Sequence, residues 1–222
     1  KMDRDDTIDI VDFDVIAWIK GEMRGQLDEE IARAGLIGDG RLASDDDKIS
    51  EDHIRPIATD VPLFTIRATV DPGKNEQEMA KNFIVSAIRA RKNYKGSGNP
   101  TLYTTEDMLT SMLLIEDGIG HFLYKSVEEL ATRLRVSKIV TVEVMEGFHV
   151  DTTDFDQETG VELLGIIVNP ADYSYGADKG GAVALFDDFD IDVNQMKYLI
   201  ETRCSGALTK PFSAIRLTKA TA

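Results

Sequence analysis

Cysteine is almost absent: Cys204 is the single one in 222 residues. No disulfide can form within the chain, and a reducing, cytosolic folding compartment is the natural reading. Histidine is nearly as scarce. His53, His121 and His149 do not pair at metal-ligand spacing, and none stands beside Cys204. Long apolar runs are missing too, and nothing approaches the roughly 20 residues needed to cross a bilayer. Positive charge is in short supply, with 25 basic residues against 40 acidic ones and a net charge of −15. That balance opposes general affinity for nucleic acid or an anionic membrane, and it keeps a concentrated protein soluble.

The common catalytic signatures are also lacking. Gly35, Gly38 and Gly40 follow a predicted helix, whereas a dinucleotide-binding turn follows a strand and opens a helix. Lys179-Gly180-Gly181 lacks the upstream glycine and the Ser or Thr of a phosphate-binding loop. No Gly-x-Ser-x-Gly elbow is present. Asp151, Asp154, Asp156 and Glu158 suggest a calcium loop only superficially, because the glycine and glutamate of that register are missing. Asp187, Asp188, Asp190 and Asp192 could share a cation, but strand alternation would split them between two faces. Both clusters are therefore read as solvated surface. No metal, cofactor or membrane is expected.

What is present is an ordinary globular composition, 42% hydrophobic and 29% charged, enough for one sizeable core or two smaller lobes. Asp12 or Asp14 can cap a helix starting near Val15. Its apolar stripe is Ile16, Ile19, Met23, Leu27 and Ile31. Gly21 and Gly25 on this helix suggest close approach of a neighbouring backbone. The run from Gly35 to Gly40 supplies a stop and a turn. Residues 41–62 read as an exposed loop and Phe64–Val70 as a strand.

A second helix is predicted from Glu76 to Tyr94. Lys81, Arg89, Arg91, Lys92 and Lys95 make it locally basic. This is a solvated face, or else a contact for an acidic neighbour or for DNA. Thr101–Thr104 is a short strand, and Thr104 or Thr105 caps the next helix. Ser126 and Glu129 form a capping-box pattern before another. Lys138–Val144 and Val161–Val168 are strands, the latter buried on both faces. Tyr175–Gly181 reads as a loop. Three strands are expected after it: Ala182–Ile191, Gln195–Leu208 and Ser213–Lys219. Cys204 is expected as a buried structural thiol in the second of these.

Two segments, taken together, resemble the major capsid proteins of tailed bacteriophages, whose fold is shared with encapsulin shells. One is the helix ending Glu29-Glu30-Ile31-Ala32-Arg33-Ala34-Gly35-Leu36-Ile37-Gly38-Asp39-Gly40. The other runs from Gly180 to Leu217, with Phe186, Phe189, Asn194, Glu201-Thr202-Arg203, Ala207 and Lys210-Pro211-Phe212-Ser213-Ala214-Ile215. Between them, a helix, Asn99-Pro100-Thr101 and a further helix follow the family's order of elements.

The resemblance implies an α+β fold: an axial lobe over residues 5–176, with a central sheet flanked by helices, and residues 177–222 completing a peripheral β-rich lobe. It implies a structural subunit, not an enzyme, that assembles into the pentamers and hexamers of an icosahedral head. Implied partners are other copies of itself and, in addition, a portal, a scaffold, a maturation protease and non-specifically packaged DNA. The implied place is the virion capsid, assembled in the host bacterial cytoplasm. The family's N-terminal arm, long β-loop and spine helix are not visible before Asp9, so the sequence is expected to be a fragment, its C-terminal two-thirds. Some members join a lysine of the long loop to an asparagine of a neighbour with a glutamate as base. Asn194 and Glu201 match that asparagine and glutamate. Arg203, Glu201, Arg89, Lys92, Asp187 and Asp188 are the candidate subunit contacts. The rival expectations are a cellular encapsulin-like compartment shell, a metal-dependent hydrolase using the aspartate clusters, and a binding module with no shell role.

Overall fold

The computed structural model describes residues 2–3, 15–41, 44–150, 160–177, 183–190, 192 and 194–220. In chain order the elements are β1 (Met2–Asp3), α1 (Val15–Leu36), β2 (Thr65–Val70), α2 (Glu76–Ala90), β3 (Thr101–Thr104), α3 (Glu106–Leu113) and α4 (Val127–Leu134). Then follow β4 (Ile139–Thr141), β5 (His149–Val150), β6 (Val161–Val168), β7 (Tyr173–Ala177), β8 (Ala184–Asp190), β9 (Gln195–Glu201), β10 (Cys204–Leu208) and β11 (Ala214–Lys219).

The largest sheet runs β2-β11-β6-β3-β4, with β5 joined to the start of β6. Its β2–β11 and β3–β4 pairings are parallel, and β6 lies antiparallel to both β11 and β3. β6 is the spine of this sheet, and Leu163 to Val168 are all buried. Successive side chains of a strand point to opposite faces, and a register shift opposite Leu217 and Thr218 slips that alternation near Leu164, so its apolar run serves two cores. On one face Leu164 and Ile167 join Leu102, Ile215 and Leu217 under α2, α3 and α4. On the other, Leu163, Ile166 and Val168 join Ile37, Ile57, Met145, Tyr173 and Leu208. Gly165 marks where the first face is tightest. A Cβ there would stand 3.0 Å from the Phe83 ring and 3.2 Å from the Tyr103 carbonyl oxygen.

The helices over the first face are fixed by their starts. Asn75 Oδ1 accepts the Glu78 N–H at 2.8 Å, and Thr105 Oγ1 accepts that of Met108 at 3.2 Å. Ser126 Oγ accepts the Glu129 N–H at 3.3 Å, while Glu129 reaches back to the Lys125 N–H at 3.0 Å. The return arm of the predicted capping box therefore lands one residue earlier than the motif specifies.

A three-stranded sheet, β1-β9-β8, and a two-stranded one, β10-β7, complete the fold. The described strands after Ala177 are distributed among all three sheets. β8 and β9 form the small sheet, β10 pairs with β7, and β11 inserts between β2 and β6. Expectations about single elements need revision. Gln195–Leu208 is two strands rather than one, because pairing lapses at Thr202-Arg203, and Cys204 opens the second of them, half-buried rather than buried. Tyr175–Ala177 is paired strand, not loop, since Cys204, Ser205 and Gly206 of β10 lie opposite it. After Thr141 the backbone coils into a short 3₁₀ turn at Glu143–Met145, which brings Met145 into the second core. The cap proposed at Asp12 or Asp14 and the Asp151–Glu158 cluster lie outside the described residues.

Candidate assembly surfaces

α1 is unlike the other helices. It is 22 residues long, yet only Ala34 and Gly35, at its end, are buried. Its predicted stripe of Ile16, Ile19, Met23, Leu27 and Ile31 is merely half-buried, and Trp18 is 54% exposed. Gly21 and Gly25 face open space, with nothing of the chain within 4 Å of an added Cβ. The expected close approach to a neighbouring backbone therefore does not occur among the described residues. α1 links the two smaller sheets. Lys20 pairs with Asp187 at 3.5 Å and lies 5.5 Å from the Tyr198 ring centre. At the other end, Tyr175 Oη donates to the Ile31 carbonyl at 3.2 Å.

The end of α1 is pinned. Gly38 and Gly40 take φ of +100° and +71°, conformations that cost glycine little. Asp39 then accepts from Lys48 Nζ at 2.9 Å, the Ile49 N–H at 2.7 Å and the Arg41 N–H at 3.2 Å. Burial alone would push this carboxyl up, but these donors outweigh burial and hold it below the usual aspartate value. Three donors for one carboxylate make the turn a fixed platform.

The small sheet is covered even less. Register pairs Phe186 with Leu199, Asp187 with Tyr198 and Asp188 with Lys197. Lys20 of α1 meets Asp187 and Tyr198, so the face carrying Phe186 and Leu199 points away from α1. Those two side chains are 52% and 56% exposed. Nothing among the described residues covers this apolar cross-strand pair.

A third apolar surface is a tip that sequence reasoning missed. Between Ile115 and Leu123 the chain turns back on itself, bridging Glu116 to Phe122. Asp117 Oδ1 accepts the Ile119 and His121 N–H groups at 2.8 and 3.0 Å. The turn is therefore ordered, and it presents Ile119, 82% exposed, beside Phe122 and Leu123. The available signal was Gly118-Ile119-Gly120, an isoleucine with no helical or strand period to bury it.

Where α1 passes the large sheet, cover over the second face is incomplete and leaves a cleft of about 630 Å³. Leu36, Ile57, Tyr103, Val144, Val168 and Tyr175 form part of its lining.

The candidate contact residues are dispersed. Arg89 and Lys92 are exposed on the outer side of α2 and its following turn, and Arg203 is exposed in the break between β9 and β10. Asp187 and Asp188 point to opposite faces of the small sheet, as strand alternation requires. Among the described residues no group of three or more His, Cys, Asp or Glu side chains is placed to hold a metal. Asn194 sits at φ +51° directly before β9, and Glu201 ends that strand. Seven residue steps of strand set them roughly 23 Å apart, so one chain does not bring them together.

No protein-family model and no curated protein matches the sequence. Solved structures do. The fold is similar to that of a chain from the capsid of an empty GTA particle, with 13% identity over 99% of this chain and 70% of that one, and a TM-score of 0.60. It is similar to a chain of the bacteriophage PhiM1 mature capsid, with 12% identity over 100% and 69%, and a TM-score of 0.55. A chain from Mycobacterium phage Bobi matches with 10% identity over 100% and 70%, and a TM-score of 0.58. The α+β fold is that of the phage major capsid proteins.

Proposed function

We propose that this chain is a structural subunit that assembles with copies of itself into the closed shell of a phage-type particle. The observation that carries this reading is the likeness of fold to chains from assembled capsids, which extends over 99–100% of the chain. The surfaces agree with it. A long helix with a half-covered apolar stripe, an open sheet face and an ordered apolar tip are costly in a lone molecule and useful in a shell. Repeated contacts between unlike surfaces that close on themselves need shape and complementary charge rather than a cofactor.

The encapsulin-like compartment is not favoured, because the similar capsids belong to phages and a GTA particle. Pentamers and hexamers of an icosahedral head, packaged DNA within, and a portal, a scaffold and a maturation protease as further partners belong to the same proposal. So does a division into an axial lobe, residues 5–176, and a peripheral lobe completed by residues 177–222. Here β11 is shared with the large sheet.

The test is negative-stain electron microscopy of the full-length protein, produced with its neighbouring gene products and passed through gel filtration. Closed shells, or rings of five and six, are the expected result. A persistent monomer under every assembly condition would refute the proposal. Arg89, Lys92, Asp187, Asp188, Glu201 and Arg203 remain the proposed contact residues of such particles.

A covalent link at Asn194 would have to draw its glutamate from another copy, given the separation along β9. If linking occurs, the intact mass of reduced, denatured particles will contain multiples of the subunit mass. A spectrum holding the monomer mass alone removes the idea.

A further inference from the structure

Resting on the shell reading, the geometry points to one specific contact: the exposed stripe of α2 in one copy seats in the cleft beside α1 of a second copy. The stripe is Lys81, Val85 and Arg89, continued by Lys92 in the 3₁₀ turn that follows α2. These positions follow at helical steps of four, four and three and are all exposed, Val85 by 44%. No ion pair engages the three cations among the described residues. In a chain of net charge −15, such a cationic strip with an apolar centre stands out against its surroundings.

The cleft is its complement. Its floor is apolar, and its rim carries Glu29, Glu30 and Glu143 against one guanidinium, Arg33. Glu30 is already paired with Arg41 at 2.8 Å, which leaves Glu29 and Glu143, both exposed, to meet incoming cations. A volume of about 630 Å³ receives several side chains and lies within the range of ligand-sized clefts. Val85 then meets the floor near Val144, and Arg89 and Lys92 meet the rim.

The two surfaces lie on opposite faces of the large sheet. α2 packs over the face that carries Leu102 and Ile167, whereas the cleft is lined by Tyr103 and Val168 of the other face. A contact between them is therefore heterologous. Each copy offers a stripe to one neighbour and a cleft to the next, which is the arrangement that closes into rings.

Exposed ion pairs contribute little on their own, so the test relies on like-charge repulsion. Three full-length variants are compared with wild type: Arg89→Glu with Lys92→Glu, Glu29→Lys with Glu143→Lys, and all four together. The readout is the concentration at which rings or shells form, by sedimentation and microscopy. Each double variant is expected to need roughly a hundredfold more protein, and the quadruple variant to return towards wild type. Thermal midpoints should not move, because all four side chains are exposed.

The inference falls if either double variant assembles like wild type, or if the quadruple variant is as impaired as its parents. Loss of DNA retention with assembly untouched would assign the stripe to DNA and overturn the contact. A wild type that never assembles sinks the shell reading itself, which is a separate outcome. A second measurement does not depend on charge. Val85→Cys with Val144→Cys, in a Cys204→Ser background, should give a disulfide ladder extending beyond dimer in oxidised assemblies. Absence of that ladder in particles that do form would also overturn the contact.

Discussion

Phe83→Ala is expected to lower the unfolding free energy by about 3–5 kcal/mol, a large share of what a domain of this size possesses. Phe83 has no exposed surface and is among the largest fully buried side chains. It projects from α2 onto β6, and Gly165 leaves room for its ring there. Truncation forfeits the buried apolar area and opens a cavity that α2 cannot fill by moving. Its neighbours Ala80 and Ala87 are already fully buried against the same core. Urea denaturation of the isolated chain measures the effect. A loss below about 1 kcal/mol would mean that the site collapses around the missing ring, and that α2 is less firmly seated than its burial implies.

Asp172→Asn is expected to cost about 2 kcal/mol at pH 7 through lost charge-assisted hydrogen bonds. Asp172 is fully buried. It accepts the Ser97 N–H at 2.6 Å and pairs with Lys210 Nζ at 3.2 Å, while Lys210 also meets the Ser97 hydroxyl. The group therefore ties the loop before β3 to the start of β7 and to the loop before β11. Burial alone would raise the carboxyl's pKa, but Ser97 and Lys210 outweigh burial and hold it below the ordinary value.

The sign of the pH dependence follows. A depressed folded pKa contributes stability that is present above the unfolded aspartate pKa, about 3.9. That contribution is lost as pH falls through the folded value. The gap between wild type and Asp172→Asn should be full at pH 7 and narrow only below about pH 3.9. Denaturation curves across that range test it. An equal gap at all pH values would assign the effect to shape rather than charge.

Some of this was legible along the chain because the cause is local. Thr105 and Ser126 stop the backbone and start helices through bonds to residues three positions ahead. The apolar run of β6 told of two buried faces, and the Gly38 and Gly40 turn told of a helix end. The family resemblance, carried by the order of elements rather than by any metal-like signature, pointed to the fold that the similar capsids share.

Other features were decided only by partners distant in sequence. Whether Tyr175–Ala177 is strand or loop depends on Cys204–Leu208 lying beside it, and no period within three residues can tell. β11 reads as an ordinary closing strand, yet its place between β2 and β6 is set by pairing across more than forty residues on either side. The same limit applies to the surfaces. The side of α1 that carries Ile16, Ile19, Met23, Leu27 and Ile31 is as apolar in sequence as the side of α2 that carries Phe83, Ile84 and Ala87, but the first is left half-covered and the second is buried. Periodicity determines which side of an element is apolar. Only the packed fold decides whether the chain itself covers that side, because cover comes from residues brought together by topology.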